Sequence, residues 1–384
     1  MNKGKSGGLV LVLALAALAA TADAQVKIGV TVSATGPAAS LGIPERNTVS
    51  MCPKEVAGKS VEYIVLDDAS DTTTAVQNTR KLISESRVDA IIGSTTTPNS
   101  LAMLDVFADA QTPTISLASS VRIIEPMDAK RAWSFKTPQT DVMMAGAILE
   151  HAAAAGVKTI GYVGFSDALG EAFFAEVEKA AAARRIPLVA SERFSPKDTS
   201  VVGQALKLIS AKPDAIVIGA SGTPAALPAT TLTERGYKGR LYFNHGVANN
   251  DFLRVGGKDV EGGYVPASPV IVANQLPDSH PAKAQAVQYT KLYEAAHGAG
   301  SVSAFGSYTW DACTELMNAI PAALKSAQPG TMEFRRALRD ALEATKNLQV
   351  TNGVVNMSPT DHLGLDARAR VMVRIEGGKW VLQQ

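Results

Sequence analysis

The sequence predicts an α/β protein with two similar lobes, each built on a parallel β-sheet that helices cover on both faces. From Gln25 onward, short runs rich in β-branched residues alternate with amphipathic helical segments. Runs that are apolar on both faces are typical of parallel strands buried between layers of helix. The alternation restarts after Pro138, which indicates a second unit of the same kind. A chain of 384 residues can form two domains, each with its own core.

The predicted elements follow one another along the chain. In the first unit, strands are predicted at residues 26–32, 61–66, 88–92 and 113–117, with helices at 74–86 and 100–110. In the second unit, strands are predicted at 158–163, 187–190, 215–218 and 240–243, with helices at 142–155, 169–184, 200–211 and 225–235. The last third predicts helices at 281–296, 307–327 and 331–344, then strands at 370–375 and 379–382. Periodicity does not tell which lobe these last elements join.

The N-terminus predicts a secretory signal peptide. Lys3 and Lys5 precede an unbroken apolar run at residues 9–20, and Ala22-Asp23-Ala24 supplies the small residues of a cleavage site before Gln25. An N-terminal membrane anchor is the alternative, but the apolar run is shorter than the roughly 20 residues of a bilayer span. We therefore expect an exported protein that is not inserted in the membrane after cleavage.

Charge and cysteine content narrow the classes further. Removal of residues 1–24, with two lysines and one aspartate, changes the formal net charge from +1 to zero. A chain without net charge argues against nucleic acid or an anionic membrane as its partner. Cys52 and Cys313 are the only cysteines. An exported chain could join them or keep two unpaired thiols, since one distant pair is too little to define a disulfide framework.

Catalytic and nucleotide-binding motifs are missing from the sequence. Gly58-Lys59-Ser60 resembles the end of a phosphate-binding loop, but Pro53 occupies the position of its required glycine. No dinucleotide-binding glycine motif follows the first predicted strand, and no G-x-S-x-G elbow occurs. The histidines lack the spacing of a metal site; they are His151, His245, His280, His297 and His362. We therefore expect no enzyme activity, no metal and no cofactor.

An acidic cluster follows the second predicted strand. Asp67, Asp68 and Asp71 could carry out acid–base chemistry or bind a cation. Asp71, however, stands directly before a predicted helix, where aspartate is a favoured N-cap. We expect a structural role for this cluster.

Seven short motifs follow one another between residues 26 and 249. They are Val26-Lys27-Ile28-Gly29-Val30, Thr35-Gly36-Pro37-Ala38, Leu41-Gly42, Leu66-Asp67-Asp68-Ala69-Ser70-Asp71, Asp89-Ala90-Ile91-Ile92-Gly93, Pro113-Thr114-Ile115-Ser116 and Gly246-Val247-Ala248-Asn249. Each is unspecific alone. In this order they resemble the branched-chain amino acid (Leu/Ile/Val-type) periplasmic binding proteins, and the resemblance covers nearly all of the mature chain.

The resemblance implies a type I periplasmic-binding fold, in which two Rossmann-like lobes are joined by three crossovers and close on a ligand. The crossovers are expected near Thr137, Ala267 and Val355. The implied organisation is a signal peptide at 1–24, a first lobe formed by 25–137 and 268–354, and a second lobe formed by 138–267 and 355–384.

Two departures from the family pattern stand out. The segment of the family's first helix is short here, and Pro44 and Pro53 are expected to interrupt it. The positions of a cysteine pair that is frequent in the family carry Ser70 and Thr96 instead. Cys52 and Cys313 are therefore not that bridge.

The resemblance also implies a carboxylate site in the first lobe. The expected residues follow two strand ends and are Thr96, Thr97, Ala118, Ser119 and Ser120, with Leu41 nearby. Hydroxyls and free backbone N–H groups at a helix start can hold an anion without a formal positive charge. The alternative is that these hydroxyls only cap the helix, although a cap needs one hydroxyl and not a run.

The second lobe departs from the family at the positions that would hold an amino acid. Leu169 replaces a tyrosine, Ser221 falls near a second aromatic position, and His245 replaces an acidic residue that pairs with the ligand's ammonium group. A neutral histidine cannot balance an ammonium, and a protonated one would repel it. His245 as a plain surface or hinge residue is the alternative. Phe305 and Tyr308 could stack on an aromatic ring or belong to the core.

These residues predict a periplasmic solute-binding protein of an ABC importer that binds a small carboxylate without an α-amino group, such as a benzoate or cinnamate derivative. Its expected partners are that ligand and an inner-membrane permease. A binding protein for branched-chain or other hydrophobic amino acids or amides is the alternative. An extracellular sensor module is a further one.

Overall fold

A computed structural model describes residues 25–383, so the predicted signal peptide lies outside the described residues. The strands are β1 Val26–Val32, β2 Glu55–Val56, β3 Lys59–Asp67, β4 Ala90–Gly93, β5 Thr114–Ser116, β6 Ser134–Lys136, β7 Ile160–Phe165, β8 Leu188–Phe194, β9 Ala215–Gly219, β10 Arg240–Phe243, β11 Tyr264–Ala267, β12 Leu348–Val350, β13 Gly353–Val355, β14 Val371–Glu376 and β15 Lys379–Leu382. The helices are α1 Ala39–Val49, α2 Thr72–Ser84, α3 Thr97–Asp109, α4 Asp141–Ala154, α5 Ala168–Ala183, α6 Val202–Ser210, α7 Ala226–Glu234, α8 Asn250–Gly256, α9 Lys283–His297, α10 Ala304–Ala323 and α11 Met332–Glu343.

The first lobe is built on a six-stranded sheet with the order β2-β3-β1-β4-β5-β6. Strand β1 lies between β3 and β4 and pairs with both in parallel. Its alternate residues Val26, Ile28 and Val30 are fully buried in a core that also contains α10 and α11. Two of the three late helices that periodicity could not assign, α10 and α11, therefore pack on the first sheet, whereas α9 packs in a separate cluster with the segment at Val270 and with Trp310 of α10.

The second lobe is built on a seven-stranded sheet with the order β15-β14-β11-β10-β9-β7-β8. Strands β7 to β11 are parallel, whereas β14 and β15 add antiparallel pairs at one edge. The predicted fold class of two α/β lobes with mainly parallel sheets is confirmed.

The third crossover differs from its expected place near Val355. Met357 is buried in the core of the first lobe. Lys136 N at the end of β6 donates a hydrogen bond to His362 O at 3.2 Å, and His362 Nδ1 donates to Ser134 O at 2.8 Å. This pairing covers the open edge of the first sheet. The chain thus stays with the first lobe until Ala369 and enters the second sheet only in β14.

One buried polar cluster joins the three crossovers. Gln139 Nε2 donates to Asn352 Oδ1 at 2.9 Å and to Ala369 O at 2.6 Å. Ser268 Oγ donates to the same Asn352 Oδ1 at 2.5 Å. Asn352 Nδ2 donates to Asp311 Oδ2 of α10 at 2.6 Å. We call these five residues the hinge cluster; all five are fully or almost fully buried.

Helix α1 and the residues after it show whether Pro44 interrupts the helix and whether the two cysteines are paired. The helix runs through Pro44 and ends before Pro53, so the expected interruption at Pro44 is wrong. Packing along α10 supports the helix despite the missing N–H. Just after α1, Cys52 forms a disulfide with Cys313 of α10, with their Cα atoms 6.0 Å apart. Both sulfurs are buried in the first lobe.

The acidic cluster has a structural role. Asp71 is the N-cap of α2, as expected, and its Oδ1 accepts a hydrogen bond from Thr74 N at 2.8 Å. Asp67 Oδ1 accepts from Ala34 N at 2.9 Å. Asp68 is fully buried and accepts from the hydroxyl of Ser33 at 2.6 Å. These carboxylates tie the loop after β3 to the loop after β1.

Candidate ligand-binding site

A cavity of about 240 Å³ lies between the two lobes. It opens at the carboxyl ends of β3 to β6 and of β7 to β10, where ligands of parallel α/β sheets bind. Its lining is mainly apolar, with a small set of polar groups, and comprises Pro37, Ala38, Leu41, Ser70, Thr72, Thr95, Thr96, Thr97, Pro98, Asn99, Leu117, Ala118, Ser119, Pro138, Phe165, Asp167, Leu169, Ser195, Pro196, Lys197, Ser221, Asn244, His245, Gly246, Phe305 and Tyr308. The volume is below the roughly 300–1,000 Å³ of pockets for drug-sized ligands, which indicates a smaller molecule.

The start of α3 forms the polar part of the first-lobe wall. Thr96 is the N-cap of this helix, yet its side chain makes no capping hydrogen bond. Thr97 Oγ1 and both amide atoms of Asn99 are buried without a hydrogen-bond partner. The first turn of a helix also leaves backbone N–H groups without intrahelical acceptors. These hydroxyls therefore do not cap the helix, and the wall has unused donors.

Two other members of the hydroxyl run are engaged inside the protein. Ser100 Oγ donates to Ser94 O at 3.1 Å. Thr95 Oγ1 accepts from Ser33 N at 2.8 Å and is also hydrogen-bonded to the carboxyl group of Glu45. Thr95 nevertheless lines the cavity.

The loop after β5 contributes Ala118 and Ser119 to the wall but not Ser120. Ser120 is fully buried, and its Oγ accepts a hydrogen bond from Arg122 N at 3.3 Å. It caps a short 3₁₀ turn at residues 121–123. The expectation that Ser120 binds the ligand is corrected, because the turn directs the residue away from the cavity lining.

The second-lobe wall contains Leu169 and Ser221, as the resemblance implied. Leu169 is held at the start of α5 by Asp167, whose Oδ1 accepts from Leu169 N at 2.9 Å and from Gly170 N at 3.1 Å. Position 170 requires glycine, because a Cβ there would lie 1.9 Å from Phe165 O. The start of α5 is thus fixed against the end of β7.

His245 lies in the cavity wall and not on the protein surface. It belongs to a 3₁₀ turn after β10, is 2% exposed, and has its Nδ1 buried without a partner. Burial, together with the charge of Lys136, lowers the pKa of His245 to about 3. The imidazole is therefore neutral at pH 7, with one nitrogen as donor and the other as acceptor. The adjacent Asn244 Nδ2 is also buried and unpartnered.

Phe305 and Tyr308 of α10 are both core residues and part of the lining. Their rings meet edge to face with centroids 5.7 Å apart. Tyr308 OH donates to Gln139 Oε1 of the hinge cluster at 3.1 Å. Both aromatics are thus core residues, as one of the two readings had it, and they also line the cavity.

Some residues of the site escaped sequence reasoning. Lys136 is fully buried, its Nζ donates to Pro138 O, and burial lowers its pKa to about 7. Nothing in the sequence distinguishes it from a surface lysine. Lys197, an exposed cation at the cavity rim, and Phe165 at the end of β7 were missed in the same way. The signal for Phe165 was its place at a strand end, directly before the Asp167 motif.

Neither a candidate metal site nor a helix able to span a membrane is found within residues 25–383. No group of three or more His, Cys, Asp or Glu side chains could hold a metal ion there. Over the same residues, no helix combines the length and the apolar character needed to cross a membrane.

Comparison with known families adds an independent finding. The model of a family described as periplasmic binding protein matches residues 25–379. No curated protein matches the sequence.

Solved structures share the fold over most of the chain. An extracellular ligand-binding receptor from Rhodopseudomonas palustris HaA2 is 44% identical, with a TM-score of 0.91 over 94% of this chain and 100% of that chain. A leucine-binding protein from Thermotoga maritima is 19% identical, with a TM-score of 0.81 over 94% and 98% of the two chains. A solute-binding protein of an ABC transporter from Rhodopseudomonas palustris BisB5, in complex with 3,4-dihydroxybenzoic acid, is 20% identical, with a TM-score of 0.78 over 93% and 95%. The family match, the two-lobed fold and the cavity between the lobes agree, and the chain belongs to the periplasmic binding protein family, with the type I fold of the leucine-binding proteins that its sequence motifs resembled.

Proposed function

We propose that this protein is the exported solute-binding component of an ABC importer and that it binds a small aromatic carboxylate between its lobes. One observation carries the proposal: unpartnered buried polar atoms of Thr97, Asn99 and His245 border a mainly apolar cavity. A buried polar group without a partner costs about 1–3 kcal/mol. A ligand with a polar group at each end and an apolar middle would supply the missing partners.

The carboxylate end is assigned to the start of α3. Thr97 Oγ1 and the backbone N–H groups of the first helical turn are donors. The positive end of the helix dipole favours an anion at the same place. Ala118 and Ser119 complete this end of the cavity.

The other end of the cavity disfavours an α-ammonium group. His245 is neutral because burial lowers its pKa to about 3. Asp167 is the one carboxylate in the cavity lining among the described residues, and its Oδ1 already caps α5. An ammonium group left unpaired in a closed cleft would cost several kcal/mol. A neutral hydroxyl or carbonyl suits His245 better, since the imidazole can donate or accept.

An aromatic ring between the two ends of the ligand fits the cavity walls. Phe305, Tyr308 and Phe165, with Leu41 and Leu169, supply the large apolar side chains of the cavity lining. Aromatic pairs stabilise a ring by about 0.5–1.5 kcal/mol beyond the burial of its area. The 20%-identical protein bound to 3,4-dihydroxybenzoic acid shows that this fold holds such an acid.

Export and the permease partner rest on the N-terminal sequence and on the family. The predicted cleavage before Gln25 coincides with the start of both the family match and β1. A two-lobed protein released outside the inner membrane would present the bound acid to a membrane permease.

Asp167 supports one alternative, a binding protein for hydrophobic amino acids. Its second carboxylate oxygen could pair with an ammonium, although burial raises the pKa of Asp167 and so disfavours its charged form. The ligand panel below separates the two functions.

The test is a thermal-shift screen of the purified protein with leucine, isoleucine, valine, phenylalanine, benzoate, 4-hydroxybenzoate, 4-hydroxycinnamate and aliphatic keto acids. A ligand that binds only the native state raises the melting temperature as its concentration exceeds the Kd. We expect shifts with the aromatic acids and none with the amino acids. A shift with leucine and none with any acid lacking an amino group would overturn the proposal.

A further inference from the structure

A buried carboxyl group stands directly behind the proposed carboxylate site. Glu45 of α1 is fully buried, and one of its oxygens is hydrogen-bonded to Thr95 Oγ1. Its other oxygen, Oε1, is buried and has no hydrogen-bond partner. Thr95 lines the cavity two residues before Thr97. Glu45 itself is not part of the lining, so it reaches the ligand only through Thr95.

The hydrogen-bonding capacity of Thr95 makes the state of Glu45 important. A threonine hydroxyl has one proton to donate and two lone pairs that accept. One lone pair of Thr95 accepts from Ser33 N at 2.8 Å. If Glu45 is ionised, the hydroxyl proton must point to Glu45, and only a lone pair faces the cavity. If Glu45 is protonated, its own proton fills the second lone pair, and the hydroxyl proton of Thr95 is free to point into the cavity.

We propose that Glu45 is a positioning residue that carries a proton when the site is occupied, so that Thr95 donates its hydroxyl hydrogen to the carboxylate of the ligand. The inference rests on the proposed function, because it requires an anionic ligand end at the start of α3. It adds that binding of the anion is coupled to uptake of one proton by a group that never touches the ligand.

The unpartnered Oε1 supports the protonated state. An ionised carboxylate spreads its charge over both oxygens, and a charged oxygen buried without a donor is strongly unfavourable. In the protonated state, Oε1 is a neutral carbonyl oxygen, for which a missing partner costs much less.

The charges and the burial around Glu45 also favour its protonated state. Burial raises the pKa of Glu45, the hydrogen bond from Thr95 opposes this, and the negative charge of Asp68 raises the pKa further. The titratable groups that interact with Glu45 are Asp68 after β3 and Tyr308 of α10. Asp311 and Glu315 lie further along α10, which packs against α1, and the exposed Arg46 follows Glu45 in the sequence. A bound carboxylate would add one more negative charge near Glu45 and favour its proton still more.

The test compares the wild type with Glu45→Gln, whose amide N–H₂ donates to Thr95 permanently and mimics the protonated acid. Affinities for benzoate and cinnamate, which have no second titratable group, are measured by calorimetry from pH 6 to pH 9.5. Buffers of different ionisation enthalpy reveal proton uptake. Glu85→Gln, the same change at an exposed position, is the matched control.

The wild type and Glu85→Gln are expected to lose affinity as the pH rises above the pKa of Glu45 in the empty protein. The limiting slope is about tenfold per pH unit, because one proton is taken up. Glu45→Gln should lack the part of this decline, and of the proton uptake, that Glu45 causes, whereas a contribution from Lys136, whose pKa is about 7, should be equal in all three proteins. Thr95→Ser should keep the pH dependence, whereas Thr95→Val should lose it together with part of the affinity.

Infrared difference spectra between the ligand-bound wild type and ligand-bound Glu45→Gln detect the proton on Glu45 directly. A purely structural role of Glu45 would not produce this signal. We expect the band of a protonated carboxyl group in the wild type and its absence in Glu45→Gln. The same pH dependence of affinity in the wild type and Glu45→Gln, or no such band, would overturn the inference while leaving the proposed function intact. Failure of both acids to bind any variant would instead overturn the proposed function.

Discussion

The two lobes contribute different chemistry to one cavity. The first lobe supplies a helix start with unused donors, and a disulfide joins two of its helices. The second lobe supplies Leu169, Ser221 and a neutral His245 at positions where the sequence departs from its family. Under the proposed function, this difference would let the first lobe bind the carboxylate of the ligand, while the second lobe would select the group at the other end.

The largest expected effect concerns the disulfide of the first lobe. Replacing Cys52 and Cys313 together by alanine should lower the free energy of unfolding by about 2–4 kcal/mol, because the bridge closes a long loop in the unfolded chain. Denaturant unfolding followed at the buried Trp133 of the first lobe and Trp380 of the second checks this. An equal decrease in the free energy of unfolding at both tryptophans would show that the lobes unfold as one unit and that the disulfide does not stabilise the first lobe alone.

The next largest expected effect concerns the proposed carboxylate site at the start of α3. Thr97→Val should weaken aromatic acid binding about 10- to 100-fold, because a hydrogen bond to a charged group contributes roughly 1.5–3 kcal/mol. Thr314→Val, which removes a hydroxyl of α10 that donates to Trp310 O, is the control. Calorimetric titration measures both, and an unchanged Kd in Thr97→Val would remove α3 from the carboxylate site.

His245→Glu tests the proposed role of the second lobe in ligand selection. A buried carboxylate there should weaken aromatic acid binding about tenfold, because the ligand then faces a desolvated negative charge. His245→Gln keeps a donor and an acceptor and should retain most of the affinity. Unchanged binding by the Glu variant would place His245 outside the ligand contact.

A separate effect, on stability and not on binding, is the pH dependence due to His245. Its folded pKa of about 3 lies below the ordinary value of 6.5, so the unfolded chain binds a proton more readily. Stability from this group is present above pH 6.5 and falls as the pH decreases toward 3, by at most about 1.4 kcal/mol per pH unit. Thermal unfolding between pH 7 and 4 should be less acid-sensitive in His245→Gln. Parallel curves for the two proteins would contradict the neutral, buried state.

The fold was largely predictable because its strands are continuous apolar runs. Strand β1 occupies Val26–Val32, the bounds that the sequence predicted. The helix through Pro44 and the late third crossover were not predictable, since both depend on tertiary packing. A propensity for breaking a helix is overridden when the remaining face of that helix is well packed.

The site was predictable where a motif placed a residue at a strand end, as for Thr97 and His245. Ser120 was misplaced because a one-residue difference in a turn decides whether a side chain lines the cavity. Glu45 and Lys136 were missed because their roles depend on residues far away in sequence and on burial. No local pattern encodes these.

The hinge cluster restricts how the lobes can move. Gln139, Ser268 and Ala369 lie on the three connecting segments and are joined, with Asn352, by buried hydrogen bonds. Sliding of one lobe across the other would break several of these bonds at once, whereas rotation about an axis through Asn352 would preserve them. Tyr308 reaches from the cavity to the same point through Gln139. A ligand ring in contact with Tyr308 would therefore act close to the axis, where a small displacement corresponds to a much larger displacement at the far rim of the cavity.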